Sequence, residues 1–354
     1  MSPRAFQVLL WSTVIAVVAA FVMVRADALP DASRAVAADS VAPFAGRVAD
    51  VSKISVETGG YALALQKKGE AWVAGDRGDY PLRSSAVANL LTSLTAMKLA
   101  ERKTSKPELY KEIGVEDRAD GAGSTSLVFE YAGGAKAGGV LIGKRSNAAS
   151  FDQAGATFVR RGGEKQAWLA QGAPNMPRDF YEWFDELPAI PATEVQRVTI
   201  SEGGRVVFDA TKNGEGLYAR ADAGEPPAND TNVKRVAQAL VGTGFDDVKP
   251  GTALADLKRS IRLELSNGAI DVGLGDVGGQ TYVRFEGAAT SGPAAEVLKL
   301  SKGFAYRLPT YRLSGLTQSL ADLTAKEDTG AVPPGALPPG MPHGFPPGFP
   351  GMPP

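Results

Sequence analysis

The chain has 354 residues, of which 44% are hydrophobic and 22% charged, a composition typical of a globular protein long enough for two domains. Lysine and arginine number 38 against 39 aspartates and glutamates, and a formal charge of −1 argues against nucleic acid as a partner. Cysteine is absent, which excludes disulfides, thiolate catalysis and cysteine-ligated metal centres, and the only histidine is His343.

The first element is an apolar segment near the N-terminus. Residues 6–24 carry no charge, and as a helix they would span about 28 Å, the thickness of a bilayer core. This run predicts a membrane anchor within residues 1–25, and cleavage after Ala28 is the alternative. Because positive charges flank the run on both sides, charge does not fix its orientation. We expect a single-pass membrane protein with its body outside the cytoplasm.

Two segments of biased composition flank the predicted body. Residues 26–47 are rich in alanine, aspartate and serine without a clear period, and they are interpreted as a spacer. Residues 326–354 form the tail, and its last 24 residues contain ten prolines and five glycines. This composition predicts an extended or disordered tail without a packed core.

The body contains two similar patterns in succession. Residues 54–60 and 198–204 each alternate as a strand and end in two glycines, with a spacing of 144 residues. A second apolar strand follows each turn, which predicts a hairpin. An amphipathic helix comes next in both copies, with Ser84 or Ser85 as N-cap in the first and residues 229–231 as N-cap in the second.

A further set of strands also occurs twice. Residues 127–131, 141–143 and 157–160 correspond to residues 261–265, 274–275 and 281–284, and both sets end in Thr-aromatic-Val-Arg. These ordered correspondences predict an internal duplication. We therefore expect an α+β fold of two tandem units, residues 48–190 and residues 191–325, each a mainly antiparallel sheet with a packed helix.

Short motifs spread over the body carry a family resemblance. They are Gly69-Glu70-Ala71-Trp72, Tyr80-Pro81-Leu82, residues 103–110, Gly114-Val115-Glu116-Asp117, Ile142-Gly143-Lys144, residues 157–160 and Trp168. Through them, about residues 48–322 resemble the bacterial "domain of unknown function 4340" family. The resemblance implies a single-pass protein of the bacterial inner membrane, with its body in the periplasm or another extracytoplasmic space. Members are often encoded beside ABC transporters of the gliding-motility kind, which implies components of such a transporter as partners. No catalytic residue is established for the family. The proline-rich tail departs from the family pattern.

Residues 273–278 read Gly-Leu-Gly-Asp-Val-Gly, the glycine pattern of dinucleotide-binding loops. That pattern binds a pyrophosphate only where a strand turns into the N-terminus of a helix. Residues 280–285 alternate as another strand instead. The glycines therefore predict a hairpin or a bulge, and we expect no cofactor.

The densest mixture of aromatic and acidic residues lies at positions 178–186. Tyr181 and Trp183 are candidates to contact a sugar ring or a partner protein, with Glu182 and Asp185 beside them as acid and base. The alternative is a short amphipathic helix that packs between the two units. It would bury Phe180, Trp183, Phe184 and Leu187.

The remaining acidic and nucleophilic residues form no recognised catalytic or metal-binding pattern. Loop aspartates lack the spacing of a calcium hand and are expected to be solvated; they are Asp246, Asp247, Asp271 and Asp276. Without a histidine in the body, a serine hydrolase would need a Ser–Lys pair, and none stands at a strand-to-helix turn. We predict no catalytic and no metal-binding residue.

The sequence thus favours a non-catalytic, membrane-anchored accessory protein of an ABC-type transport system or envelope complex. An envelope glycan-binding module is the first alternative, and it requires an exposed aromatic pair, Tyr181 with Trp183 or Trp72 with Tyr80. A carboxylate-based hydrolase is the second alternative, and it requires a cleft that holds two carboxylates.

Overall fold

A computed structural model describes residues 39–121, 123–146, 155–221, 226–240 and 244–325. The predicted anchor, the first part of the predicted spacer and the proline-rich tail lie outside these residues. Within the described ranges, no helix is long and apolar enough to cross a membrane.

The strands form two large antiparallel sheets. The first sheet contains β1 (Val51–Glu57), β2 (Ala62–Lys68), β3 (Ala71–Ala74), β4 (Tyr80–Pro81), β5 (Lys98–Arg102), β6 (Thr125–Tyr131), β7 (Lys136–Ser146), β8 (Ala156–Arg161) and β9 (Ala167–Gln171). The second sheet contains β10 (Val195–Glu202), β11 (Arg205–Lys212), β12 (Tyr218–Arg220), β13 (Asp247–Pro250), β14 (Arg259–Leu265), β15 (Gly268–Val277), β16 (Gln280–Ala289) and β17 (Phe304–Arg307).

The helices are short. They are α1 (Ser84–Ala96), α2 (Tyr110–Ile113), α3 (Asp230–Gln238), α4 (Gly292–Leu300), α5 (Thr310–Leu316) and α6 (Leu320–Thr324). The expected α+β class is therefore correct only in a coarse sense, because the described chain is mostly β-structure with few helices.

The second sheet repeats the strand order of the first. The orders are β4-β3-β2-β1-β6-β7-β8-β9-β5 and β12-β11-β10-β14-β15-β16-β17-β13. Strands β1 to β3 correspond in chain order to β10 to β12, and β5 to β9 correspond to β13 to β17. With this matching the two strand orders are identical, and β4 is an extra edge strand of the first sheet. Helices α1 and α3 also occupy the same place in the chain order. We refer to the two sheets with their helices as the first and second units.

The glycine-rich stretch at 273–278 lies in a hairpin, as predicted. Gly278 and Gly279 form the two-residue turn between β15 and β16, with φ angles of 59° and 76°. Positive φ at both central positions is what a type I′ turn requires, and glycine adopts it without steric cost. Val277 pairs with Gln280 directly across the turn.

One glycine in each sheet allows a loop to cross a strand closely. A Cβ atom on Gly143 in β7 would lie 2.3 Å from the carbonyl oxygen of Ile113, and one on Gly275 in β15 would lie 2.3 Å from that of Asp256. The two positions lie on strands that correspond in strand order, so in both units a loop carbonyl approaches the matching strand at a glycine. Lack of space, and not an unusual backbone angle, is what excludes a side chain here.

One continuous apolar core joins the two units. Helix α1 contributes the face that its periodicity predicts, with Val87, Leu90 and Leu94 fully buried. Its predicted serine cap is wrong, because the N-cap residue is Arg83, whose backbone N–H donates to the carbonyl of Trp183 at 2.8 Å.

The predicted cap of α3 is confirmed. Asn229 accepts a hydrogen bond through Oδ1 from the backbone N–H of Asn232 at 3.0 Å. This side chain satisfies one of the free amide groups at the start of the helix.

Residues 40–44 pack against the first sheet. Val41 and Phe44 are fully buried, and the backbone N–H of Val41 donates to the carbonyl of Met97 at 3.2 Å. These residues fall within the predicted spacer, residues 26–47. Its last part therefore belongs to the folded body, because apolar side chains from this segment cover the sheet.

Candidate functional site

The aromatic and acidic segment at 178–186 is divided between core and surface. Its centre is a 3-10 turn, Phe180–Trp183, and not an α-helix. Trp183 is fully buried and donates Nε1–H to Oη of Tyr61 at 2.8 Å, so its ring offers no face to a ligand. Tyr181 is 38% exposed. The apolar side chains expected in the core are all buried: Phe180, Trp183, Phe184 and Leu187.

The two carboxylates of this segment have structural partners. Oε2 of Glu182 accepts hydrogen bonds from the backbone N–H groups of Arg178 at 2.7 Å and Asp179 at 3.1 Å, which closes a capping box. Asp185 is 73% exposed and pairs with Arg83 at 3.4 Å. Neither carboxylate lines the two recesses described below.

Tyr80 lies at the centre of an aromatic cluster at the junction of the two units. Its ring contacts Phe184, Phe245, Phe304 and Tyr306 edge to face, with centroid distances of 4.8 to 5.9 Å. The hydroxyl of Tyr306 donates to that of Tyr80 at 3.3 Å, and burial raises the pKa of both groups. Tyr80 is only 4% exposed, so it forms no exposed pair with Trp72. The cluster holds the two sheets together.

A polar trio lies beside the aromatic cluster. Nε of Arg77 in the first unit donates to Oδ1 of Asp247 in the second at 2.8 Å, and Oη of Tyr282 donates to Oδ2 at 2.5 Å. Burial, followed by the neighbouring carboxylate of Asp247, raises the pKa of Tyr282 above its ordinary value. The expectation that Asp247 is a solvated loop residue is therefore wrong, because its carboxylate accepts bonds from both units.

A recess of about 700 Å³ opens beside the first sheet, and we call it the first recess. Helix α2, the segments before and after it, and the turn between β8 and β9 form its walls. Three cationic side chains line it, together with five carboxylates, which are Glu108, Glu116, Asp117, Asp120 and Glu164.

Arg160 in β8 organises the first recess. It is buried, and its guanidinium donates to the carbonyls of Val115 at 2.9 Å and Glu164 at 3.1 Å and to Oδ1 of Asp117 at 2.7 Å. Its Cζ atom lies 4.5 Å from the ring centroid of Tyr110. The arginine thus ties the loop that precedes β6 to the sheet.

The second unit has a matching arginine. Nη1 of Arg284 in β16 donates to the carbonyl of Leu254 at 3.3 Å, as Arg160 does to Val115. A second recess of about 530 Å³ lies beside Arg284. When Val115 is aligned with Leu254, Glu116 of the first unit stands where the second unit has Ala255.

Glu116 is a buried carboxylate in the lining of the first recess. It is 5% exposed, and Oε1 accepts from the backbone N–H of Gly123 at 2.9 Å. Its other oxygen, Oε2, is buried and has no hydrogen-bond partner among the described residues. Gly121 and Gly123 lie against the carboxylate, since a Cβ atom on either would come within 2.8 or 2.6 Å of Oε1.

Sequence reasoning did not single out Glu116 as a functional residue. The only signal is the pair of glycines that follows it, which permits a close approach of backbone to a side chain. In the part of the chain that the structure describes, no group of three or more acidic or histidine side chains is arranged to hold a metal ion.

A family model matches residues 72–260, which is more than half of the chain. The family is described as "Domain of unknown function (DUF4340)". The chain belongs to this family. Comparisons with curated proteins and with solved structures give no significant match.

The DUF4340 match extends from β3 in the first unit to β14 in the second, a narrower range than the expected 48–322. It includes the whole lining of the first recess. It includes only part of the junction, because Tyr282, Phe304 and Tyr306 lie beyond residue 260. Among the motifs that carry the resemblance to DUF4340, Gly114-Val115-Glu116-Asp117 contributes to the recess wall, and Gly143 marks the close approach under that loop.

Proposed function

We propose that this DUF4340 protein is a non-catalytic, membrane-anchored extracytoplasmic accessory protein of an ABC-type transport system or another envelope complex. Residues 6–24 supply the anchor, and the two units supply the docking body. Family membership is consistent with this role. The matching strand orders support an origin of the two units by internal duplication.

The observation that carries the proposal is the junction between the units. The aromatic contacts of Tyr80 and the ion pair between Arg77 and Asp247 join two large sheets into one body. The acidic residues considered for catalysis, Glu182 and Asp185, serve a capping box and a surface ion pair. A single joined body in which Glu182 and Asp185 have structural partners supports docking over hydrolysis at these two residues.

The glycan-binding alternative receives no support from the two aromatic pairs considered for it. Trp183 and Tyr80 are buried, and a sugar ring needs an accessible aromatic face. We therefore retain docking on a membrane complex as the proposed function.

The test is a pull-down from native membranes in detergent, followed by mass spectrometry. We expect transporter components to copurify with the full-length chain. We also expect them with a chain whose residues 1–25 are replaced by an unrelated single-pass anchor, because the body supplies the docking surface. A third chain that retains residues 1–47 alone is the control. Recovery of the same components with this control, or no component with the full-length chain, contradicts the proposal.

A further inference from the structure

The carboxylate of Glu116 is only partly hydrogen-bonded among the described residues. One oxygen accepts a backbone hydrogen bond, whereas the other is buried without a donor. A desolvated carboxylate oxygen without a partner raises the free energy of the folded state, and a donor or cation that reaches it recovers this energy. Glu116 also lines the first recess, through which such a donor can approach.

The second unit shows that the fold does not require this carboxylate. Arg284 forms the same bond to the loop carbonyl as Arg160, yet the position of Glu116 is taken there by Ala255. The loop crosses the sheet closely in both units. With Val115 aligned to Leu254, the second unit thus forms its loop without a carboxylate at the position of Glu116.

The charge of the first recess favours a cation. Its five carboxylates outnumber its three cationic side chains, and one of the three, Arg160, is already engaged by three acceptors. The second recess has the opposite balance, because Arg284 and Lys302 face the single carboxylate of Glu286. The volume of about 700 Å³ accommodates an alkyl chain behind a charged head.

We propose that the first recess binds a primary ammonium group, with Glu116 as its counter-ion. A charge-assisted hydrogen bond from the ammonium satisfies Oε2, and the other carboxylates of the recess add long-range attraction. A free polyamine and a lysine side chain of a partner polypeptide both supply this group. The inference concerns a ligand of the recess and does not depend on the proposed docking role.

Isothermal titration calorimetry on the full-length protein in detergent tests this proposal. The probes are spermidine and a Gly-Lys-Gly peptide with an acetylated N-terminus and an amidated C-terminus, and the same capped peptide with an acetylated lysine is the neutral control. We expect the peptide with the acetylated lysine not to bind. Tighter binding of spermidine indicates a free polyamine as ligand, and tighter binding of the lysine peptide indicates a partner side chain. Equal binding of the peptide with the acetylated lysine, or no binding of either amine, overturns the proposal.

Glu116→Gln is the matching variant, because it removes the charge and retains an oxygen for the bond from Gly123. We expect amine binding to weaken about tenfold. Asp256→Asn, at the place in the second unit that corresponds to Asp117, is the control and leaves binding unchanged. If Glu116→Gln does not fold, Asp120→Asn at the recess provides the second variant, with binding reduced about twofold. Unchanged amine binding in Glu116→Gln, or in Asp120→Asn if Glu116→Gln does not fold, contradicts the proposal.

Discussion

Arg77 and Asp247 are 170 residues apart in the chain and form an ion pair across the junction of the two units, at 2.8 Å. Their side chains are 22% and 15% exposed. Tyr282 occupies the second oxygen of the same carboxylate. The edge-to-face aromatic contacts nearby and this shared carboxylate together fix the relative position of the two sheets.

Replacement of Asp247 is expected to destabilise the whole body. Asp247→Ala leaves the Arg77 guanidinium and the Tyr282 hydroxyl without their acceptor, and we expect a loss of about 2–4 kcal/mol in the free energy of unfolding. The measurement is urea denaturation. Asp271→Ala is the control, because Asp271 forms an exposed ion pair with Arg262 and we expect a loss of less than about 1 kcal/mol. Equal losses in both variants would show that the junction pair adds nothing specific.

The two crossing glycines are expected to tolerate no side chain. Gly143→Ala and Gly275→Ala each place a methyl group 2.3 Å from a backbone carbonyl oxygen, and we expect losses of about 1–3 kcal/mol or more in unfolding free energy. Gly60→Ala and Gly214→Ala are the matched controls, since nothing lies within 4 Å of a Cβ atom there. Thermal denaturation distinguishes the two pairs. A neutral effect at both crossing positions contradicts a close approach of the loops at these two glycines.

Stability is expected to decrease at alkaline pH in part through Tyr218. Its buried hydroxyl donates to the carbonyl of Val195 at 2.8 Å, and burial raises its pKa from 10.0 to about 12. Between these values the unfolded chain loses the proton while the folded chain keeps it. This contribution to stability is therefore complete below pH 10 and decreases as the pH approaches 12.

Unfolding free energies measured across that pH range check this expectation. Tyr218→Phe is expected to reduce the slope of the unfolding free energy against pH. Some slope remains in Tyr218→Phe, because burial also raises the pKa of Tyr61 to about 12. If Tyr218→Phe does not alter the dependence of unfolding free energy on pH, Tyr218 does not contribute to the loss of stability at alkaline pH.

Arg160 and Arg284 are expected to differ in their tolerance of lysine. Arg160→Lys loses the planar fork that reaches three acceptors, and we expect a loss of about 2–3 kcal/mol. Arg284→Lys loses one carbonyl bond at 3.3 Å and is expected to lose about 1 kcal/mol. Urea denaturation compares the two variants. A larger loss for Arg284→Lys would contradict the role assigned to Arg160.

Local pattern was sufficient to predict the hairpins and the buried faces of the helices. Alternation with a period of two and paired glycines specify a strand and its turn within a few residues, as at Gly278 and Gly279. The buried face of α1 could be predicted from helical spacing alone, whereas its N-cap could not. The N-cap residue is Arg83, and its backbone N–H donates to the carbonyl of Trp183, about a hundred residues away in the chain.

Pattern was not sufficient for charged residues. Asp247 and Asp271 look alike in sequence, yet the first bridges two units and the second lies at an exposed hairpin. Glu116 is likewise buried, and the only local sign of this in the sequence is the two glycines that follow it. The environment of a charge depends on which distant elements pack around it, and a short stretch of sequence does not contain that information.

The sequence by itself determined the two repeated patterns, the strands and their turns, and the aliphatic faces that form the core. These properties depend on backbone geometry and on hydrophobic periodicity over neighbouring residues. The tertiary structure alone decided that Trp183 is enclosed, that Arg77 meets Asp247 across the junction, and that Glu116 lies buried beside the first recess. Each of these depends on contacts between segments far apart in the chain, because burial and pairing of a polar group are set by the packing of whole sheets.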